Sequence, residues 1–187
     1  MLPPAFTARH LLVIDVEATC DDAGAVPRHE MEIIEIGAVM QDAKTFEIAA
    51  EFQTFVRPVR HPILTEFCTR LTTIEQRDVA DAPAFPNALR SLTHWSDTFD
   101  DPLFCSWGDY DRKQFQRDCE HHGVPYPFGE HHLNLKAAVA DAMNLRRSMG
   151  LGQTVERLGL AFDGTAHRGL DDARNIAHVV RWIRTGT

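Results

Sequence analysis

The sequence predicts an α/β fold, in which a mixed central sheet begins as an antiparallel meander and is flanked by helices. Three strand patterns come first and follow each other without a helix-length gap, which favours antiparallel pairing. After Pro58 the periodicity is mostly helical, with one further strand pattern. With 187 residues, of which 44% are hydrophobic, the chain has the size of one domain with a substantial core. We therefore expect residues 1–187 to form a single domain with its core at about residues 9–185.

The four predicted strands follow in chain order. Residues 11–14 are a short apolar run, LLVI, and residues 31–40, MEIIEIGAVM, are rich in isoleucine and valine. Across residues 46–56 alternate positions are apolar, which indicates a strand with one buried face. Residues 103–107, LFCSW, predict the fourth strand.

The predicted helices lie in the second half of the chain. Apolar residues recur there at helical spacing, so that each segment has one apolar face to pack on the sheet. The segments are residues 85–95, 115–119, 135–143, 155–158 and 173–183, and Gly186 follows the last of them.

Composition limits the classes of function. The formal net charge of -8 argues against a protein that coats nucleic acid by bulk electrostatics, but a local basic patch or bound metal ions would still suit a nucleic-acid enzyme. The sequence contains no run of 18 apolar residues, so no membrane span is predicted. The N-terminal MLPPAFTARH lacks the pattern of an export signal, and the four cysteines form no CxxC pair. We expect a cytoplasmic protein with reduced, ordinary buried thiols.

The first strand runs into two carboxylates, Asp15 and Glu17. Alternate residues of a strand point to the same side, so these two side chains must lie close together. Like charges repel, and burial increases the cost of the repulsion. A binding partner for the carboxylates is therefore expected.

Two more acidic clusters come at the ends of regular elements. Asp109 and Asp111 follow the fourth strand, and Asp171 and Asp172 open the last helix, with His167 five residues before Asp172. Acidic residues that open a helix are often only favourable partners of its dipole, and a lone D-x-E is common by chance. Three clusters together are harder to explain in that way.

Metal-assisted phosphoryl chemistry would use all three clusters. Hard cations such as Mg²⁺ prefer oxygen ligands, mostly carboxylates and water. A two-metal site clamps the attacking and leaving oxygens of a phosphoryl displacement. A histidine, which titrates near neutral pH, suits the base that takes a proton from water. The metal ions would also neutralise the repulsion between the carboxylates.

Three stretches, DVEAT, WGDYDRKQF and HRGLDDARNIA, resemble the motifs of the DEDDh exonuclease superfamily. Further stretches, among them HEMEIIEIGAV, FQTFVRPVRHPILTEFCTRLTTI and GLAFDGTAHRGLDDARNIA, are similar to the Eri-type exoribonucleases that trim histone mRNA 3′ ends and small RNAs. The likeness extends from about residue 11 to residue 184. It implies an RNase H-like fold and a 3′→5′ exonuclease with two Mg²⁺ or Mn²⁺ ions. The Eri-type family often carries an extra nucleic-acid-binding domain, for which this chain has no room.

For the second motif the resemblance favours Asp111 over Asp109, because Tyr110 precedes Asp111 and Phe115 follows it. The resemblance then maps the catalytic positions onto these five residues: Asp15, Glu17, Asp111, His167 and Asp172.

The implied mechanism gives each position a role. Asp15, Glu17 and Asp172 would hold one ion, and Asp15 with Asp111 the second. His167 would take a proton from the water that attacks the last phosphodiester bond. The products would be a 5′-mononucleotide and a chain shortened by one unit.

Four residues are expected to contact the 3′ end of a nucleic acid. The backbone near Ala18 and Thr19 would meet the terminal sugar, and Tyr110 would stack on a base where the family usually has tryptophan. Phe67, in TEFC, is either a second stacking residue or a core phenylalanine. No membrane and no particular protein partner is implied.

Positive side chains also flank the motifs. Arg112, Lys113 and Arg168 would supply local positive potential or would simply be solvated surface residues. The pairs His121/His122 and His131/His132 are interpreted as surface residues, since no cysteine or acidic partner is suitably spaced for a metal.

Alternative functions remain open. DVEAT also resembles the D-x-D-x-T motif of haloacid-dehalogenase phosphatases, with Asp15 as nucleophile and Thr19 in place, although Glu17 stands where that family has aspartate. A catalytically silent domain that binds RNA ends is a second alternative, but such domains usually lose metal ligands. A DNA-directed exonuclease is the third, because the residues themselves do not distinguish RNA from DNA.

Overall fold

The computed structural model describes residues 8–186. Its strands are β1 (His10–Ala18), β2 (Ile33–Asp42), β3 (Ile48–Phe55), β4 (Pro102–Ser106) and β5 (Leu133–Asn134). Its helices are α1 (Glu66–Thr72), α2 (Gln76–Ala80), α3 (Phe85–Ser96), α4 (Tyr110–His122), α5 (Leu135–Ala142), α6 (Leu151–Arg157) and α7 (Gly169–Thr185). Most of the N-terminal segment in which no export signal was recognised lies outside the described residues.

The strands form one mixed sheet in the order β3-β2-β1-β4-β5. β1 with β2, and β2 with β3, pair antiparallel, whereas β4 runs parallel to β1 and β5 runs parallel to β4. The predicted α/β class and the antiparallel start are confirmed. The carboxyl ends of β1 and β4 meet at one edge of the sheet, where ligands of open α/β sheets commonly bind.

Helices cover both faces of the sheet. On one face the even-numbered residues of β1, such as Leu12 and Ile14, pack against α3 and α4 through Leu92 and Phe115. On the other face the odd-numbered residues pack against α7. Asp15 and Glu17 continue this second row, so the fold directs both carboxylates towards the helix that carries Asp172.

Two glycines let α7 approach the sheet closely. A Cβ on Gly37 of β2 would lie 2.0 Å from the main chain of Gly169 and Leu170, and a Cβ on Gly169 would lie 2.9 Å from the carbonyl oxygen of Asp15. Any side chain at either position would push the helix away. The N-terminus of α7 therefore lies directly against the end of β1.

α1, α2 and β5 were not expected from the sequence. α1 depends on local capping, because the Thr65 hydroxyl accepts a hydrogen bond from the amide of Cys68 at 3.0 Å. α2 begins with a reciprocal pair of hydrogen bonds between Glu75 and Asp78. Each element is too short to show periodicity. Among the described residues, no helix combines the length and the apolar character needed to cross a membrane.

Candidate active site

Asp15 and Glu17 lie at the carboxyl end of β1, as expected. Glu17 is only 8% exposed, and Asp15 is partly buried. Burial raises the pKa of Asp15 well above its usual range, and the nearby carboxylates of Asp111, Asp172 and Glu17 raise it further. The pKa of Glu17 is raised to about 9, mainly by burial and further by the nearby carboxylates of Asp172, Glu35 and Asp111. The shifts show that the carboxylates lie close enough to repel one another.

Asp111 joins this group from the first turn of α4, and Asp109 does not. Asp111 is only 3% exposed, and its Oδ1 accepts a hydrogen bond from the amide of Val16 at 3.1 Å. Burial raises the pKa of Asp111 to about 6, with the Val16 amide opposing the shift. Asp109 faces outward, 3.6 Å from Arg112 and 3.8 Å from His132.

α7 contributes Asp172, and again one carboxylate of the pair faces inward. Burial raises the pKa of Asp172 to about 7, with the amide of His167 opposing the shift. That amide donates to Oδ2 of Asp172 at 3.1 Å. Asp171 instead accepts from the amide of Thr165 at 2.9 Å and from Arg174 at 3.0 Å, so Asp171 holds the preceding loop.

His167 lies immediately before α7 with a left-handed backbone, at φ 63°, and its side chain is exposed. One nitrogen of its ring and one oxygen each from Glu17 and Asp172 lie within 4.8 Å of one another. The structure thus brings together all five residues predicted to be catalytic. Oxygen-rich donors with raised pKa values are chemically suited to a hard divalent cation.

A second group of donors within the described residues, Glu32 with His121 and His122, has a different role. The Glu32 carboxylate accepts from three successive amides, those of residues 59–61, at 2.7–2.9 Å. It thereby fixes the turn before α1. The spatial proximity of Glu32 corrects the expectation that these histidines have no acidic neighbour.

Glu35 was not anticipated from the sequence. It is fully buried and lies opposite Glu17 in the β1–β2 register. Its carboxylate accepts from Nε and Nη2 of Arg168 at 3.1 and 3.2 Å, and from the amide of Gly169 at 3.0 Å. Glu35 therefore fixes the residues that directly follow His167. The only sequence signal is that Glu35, like Glu32, is a charged residue within the otherwise apolar stretch MEIIEIGAVM.

We expect Glu35→Gln to lower the free energy of unfolding by roughly 2–4 kcal/mol, because Arg168 would lose its buried counter-charge. The same change should lower activity by displacing the segment at His167. Glu51→Gln is the matched control: Glu51 also receives two bonds from one arginine, Arg174 at 2.8 and 2.6 Å, but nearer the surface, where such pairs contribute at most about 1 kcal/mol. Chemical denaturation of both variants tests this, and equal losses would contradict a special role for Glu35.

A cavity of about 760 Å³ opens beside Glu17. Ala18, Leu71, Tyr110, Lys113 and Arg117 are among its lining residues. Tyr110 is 43% exposed, so its ring is accessible to a base. The cavity is therefore suited to a nucleotide, with an aromatic ring and positive charges at its wall.

Some predicted contact residues do not line this cavity. The amide of Thr19 donates to the Glu32 carbonyl at 2.8 Å, and its hydroxyl accepts from the Glu32 amide at 2.9 Å. Phe67 is partly buried on α1 and belongs to no hydrophobic cluster of residues 8–186. Arg168 is bound to Glu35. Of the three positive residues expected to flank the motifs, Lys113 is the one that lines the cavity.

One of the histidines expected at the surface is buried instead. The side chain of His132 is 3% exposed. Its Nε2 lies 2.9 Å from the hydroxyl of Ser106, and its ring lies 4.9 Å from that of Phe104. The surface interpretation of His132 is therefore wrong.

Comparison with known proteins agrees with the geometry of the site. The family model described as Exonuclease, RNase_T, matches residues 12–180, which is most of the chain. The chain belongs to the Exonuclease family. The alternative of a haloacid-dehalogenase phosphatase is wrong.

Curated relatives place this exonuclease domain in the Eri-type branch. Human ERI1 exoribonuclease 3 is 35% identical over 182 residues, which cover 93% of this chain and 53% of the relative. Human 3'-5' exoribonuclease 1 is 33% identical over 186 residues, which cover 95% of this chain and 53% of the relative. The chain spans about half the length of the curated relatives it matches.

Solved structures show the same fold for this exonuclease domain. The nuclease domain of 3'hExo, a DEDDh family member bound to rAMP, has a TM-score of 0.89 and 32% identity, with 97% of this chain and 95% of that chain covered. A 3'-exonuclease studied for 3'-end specific recognition of histone mRNA stem-loop has a TM-score of 0.89 and 31% identity, with 97% and 66% covered. The predicted DEDDh, Eri-type family and RNase H-like fold are confirmed.

Proposed function

We propose that this exonuclease domain hydrolyses single-stranded nucleic acid from the 3′ end, with divalent metal ions, and releases 5′-mononucleotides. The observation that carries the proposal is the convergence of Asp15, Glu17, Asp111 and Asp172, from β1, α4 and α7, at one shielded point. Such a group is costly for stability, since its members raise each other's pKa. A site with that cost is typical of catalysis.

The donor set is suited to Mg²⁺ or Mn²⁺. All four carboxylates offer hard oxygen ligands, and an oxygen of Glu17 and one of Asp172 each lie within 4.8 Å of a ring nitrogen of His167. Asp15, Glu17 and Asp172 would hold one ion, and Asp15 with Asp111 the other. When bound, such ions lower the pKa of water and offset the negative charge of the phosphate.

His167 is proposed as the general base. Its exposed ring is free to reach a water molecule at the cluster of carboxylates, and histidine side chains change charge near neutral pH. The bond from its amide to Asp172 and the neighbouring bonds to Glu35 fix the backbone that carries the ring. Asp172 thus holds the backbone of His167 itself, and Glu35 holds the residues that follow it.

The cavity beside Glu17 is proposed to bind the 3′-terminal nucleotide, and RNA is the preferred substrate. Tyr110 would stack on a base and Lys113 would attract phosphate. Contacts of Ala18, Thr19 and Phe67 with the substrate remain predictions. RNA is favoured because the curated relatives are named exoribonucleases. In addition, the similar nuclease domain of 3'hExo was solved with rAMP bound.

A nuclease assay tests the proposal. The protein is incubated with 5′-labelled single-stranded RNA or DNA of one sequence, with Mg²⁺, Mn²⁺ or EDTA. We expect a metal-dependent ladder that shortens from the 3′ end, faster on RNA. Asp111→Asn should lower the rate by more than about 100-fold, since losing even an indirect metal partner costs 10–100-fold. Asp109→Asn, two residues away on the same turn, should change it little.

Three results would contradict parts of the proposal. Retention of labelled RNA without shortening would favour a domain that only binds RNA ends. A larger loss in Asp109→Asn than in Asp111→Asn would contradict the assignment of the second motif. A higher rate on DNA would support the DNA-directed alternative.

A further inference from the structure

Cys20 and Cys68 form a pair at the cavity. Cys20 lies three residues after Glu17, is partly exposed and lines the cavity. Cys68 lies in α1 and is fully buried, and its thiol donates to the carbonyl oxygen of Ala18 at 3.7 Å. Both cysteines are free, and Cys20 packs against the hydrophobic cluster that contains Cys68. Cys20 therefore lies at the wall of the cavity, and Cys68 lies behind it.

The hydroxyl of Thr65 holds the two main chains together. It donates to the carbonyl oxygen of Cys20 at 2.6 Å and accepts from the amide of Cys68 at 3.0 Å. A disulfide requires Cα atoms about 4.4–6.8 Å apart with the Cβ atoms directed at each other. Main chains bridged by one hydroxyl, with Cys20 packed against the cluster of Cys68, suit that requirement without a large backbone movement.

The other two cysteines provide the contrast. Cys105 and Cys119 lie in separate apolar clusters on opposite faces of the sheet, and burial raises the pKa of both thiols. In the pair the two thiols shift each other in opposite directions: Cys68 raises the pKa of Cys20, and Cys20 lowers the pKa of Cys68 to about 7. Cys68 is therefore the thiol with thiolate character, and Cys20 is the partner that opens to the cavity.

We propose that Cys20 and Cys68 are a modification site for hydroperoxides, at which a reversible disulfide forms and inhibits the exonuclease. In the first step Cys68 sulfur attacks hydrogen peroxide, the O–O bond breaks, Cys68 sulfur gains one oxygen as sulfenic acid, and water leaves. In the second, Cys20 sulfur attacks Cys68 sulfur, the S–O bond breaks, and hydroxide leaves with the remaining thiol proton as water. Two thiols are oxidised to one disulfide, and the peroxide is reduced.

The disulfide would change the cavity near the carboxylates. Cys68 would exchange its bond to the Ala18 carbonyl for a covalent bond to Cys20, which would tie the end of β1 to α1. Ala18 directly follows Glu17, so a shift there displaces a proposed metal ligand. This inhibitory effect rests on the proposed function, whereas formation of the disulfide does not.

Mass spectrometry and the nuclease assay test the two parts separately. The full chain is treated with hydrogen peroxide, quenched with catalase, alkylated and digested without reductant. We expect a Cys20–Cys68 peptide pair that lacks two hydrogens and disappears with dithiothreitol. The rate on labelled RNA should fall roughly tenfold or more and recover with dithiothreitol, since small displacements of positioned groups strongly reduce rate.

Variants locate the effect. Cys20→Ser and Cys68→Ser should each abolish the linkage and the loss of rate on peroxide treatment, measured against the same untreated variant. Cys119→Ser should retain both. Alkylated Cys20 and Cys68 after peroxide treatment would overturn the modification site, whether or not the protein cleaves RNA. A formed linkage with an unchanged rate would overturn the inhibition.

Discussion

Asp15→Asn is expected to abolish cleavage and at the same time to stabilise the metal-free protein. The asparagine is nearly the same size but carries no charge, so it cannot replace a carboxylate ligand, and the rate should fall by more than about 100-fold. The same change removes a negative charge from a group whose members raise each other's pKa. We expect Tm in EDTA to rise by roughly 2–4 °C, which corresponds to about 1 kcal/mol in a chain of this length.

The pH dependence follows from the same carboxylates. Their pKa values are raised in the folded protein, to about 6 for Asp111, about 7 for Asp172 and about 9 for Glu17, whereas unfolded carboxyl groups ionise near pH 4. The folded state therefore binds protons more tightly than the unfolded state does. In EDTA, the free energy of unfolding should decrease as the pH rises from about 4 to about 9.

Thermal unfolding at pH 5, 7 and 9, in EDTA and in Mg²⁺, measures both effects. Mg²⁺ should raise Tm most at high pH, where the carboxylates are ionised, and Asp15→Asn should flatten the decrease in EDTA. Asp109→Asn, outside the cluster, is the matched control. A Tm of Asp15→Asn at or below that of the wild type in EDTA would contradict the repulsion, and retained cleavage would contradict the ligand assignment.

The elements with strong periodicity could be predicted from the sequence. β1 and α7 carry regular apolar rows, and those rows fix which way Asp15 and Asp172 face. It was harder to predict which member of an acidic pair, such as Asp171 and Asp172, faces the site. The position at which the helix begins decides which of the two carboxylates points inward. For the second motif the order of aromatic residues favoured Asp111, and Asp111 is the one that faces inward, for which helical geometry is the physical reason.

Interactions between distant segments could not be predicted. Glu35 reads as a charge within a strand, and only the β1–β2 register and the approach of α7 at Gly169 place it under the candidate site. Cys20 and Cys68 are separated by 48 positions in sequence, and the Thr65 hydroxyl bridges their main chains. Because α1 is too short for periodicity, nothing in the sequence indicated where Cys68 would lie.

Replacement of His167 should remove most activity near neutral pH and leave the fold intact, because the ring is exposed and the amide bond to Asp172 remains. His167→Asn is the better first variant, since asparagine tolerates the left-handed backbone at φ 63°, whereas alanine costs about 1–2 kcal/mol there. Loss of a general base lowers rates by about 10²–10⁴-fold. The wild-type rate should rise with pH through the neutral range, as catalysis by a general base requires. The variant should lack that rise but recover part of its rate at high pH, where hydroxide replaces the base. If His167→Ala is impaired and His167→Asn is not, the backbone conformation rather than the ring is what matters, and the assignment of His167 as the base is wrong.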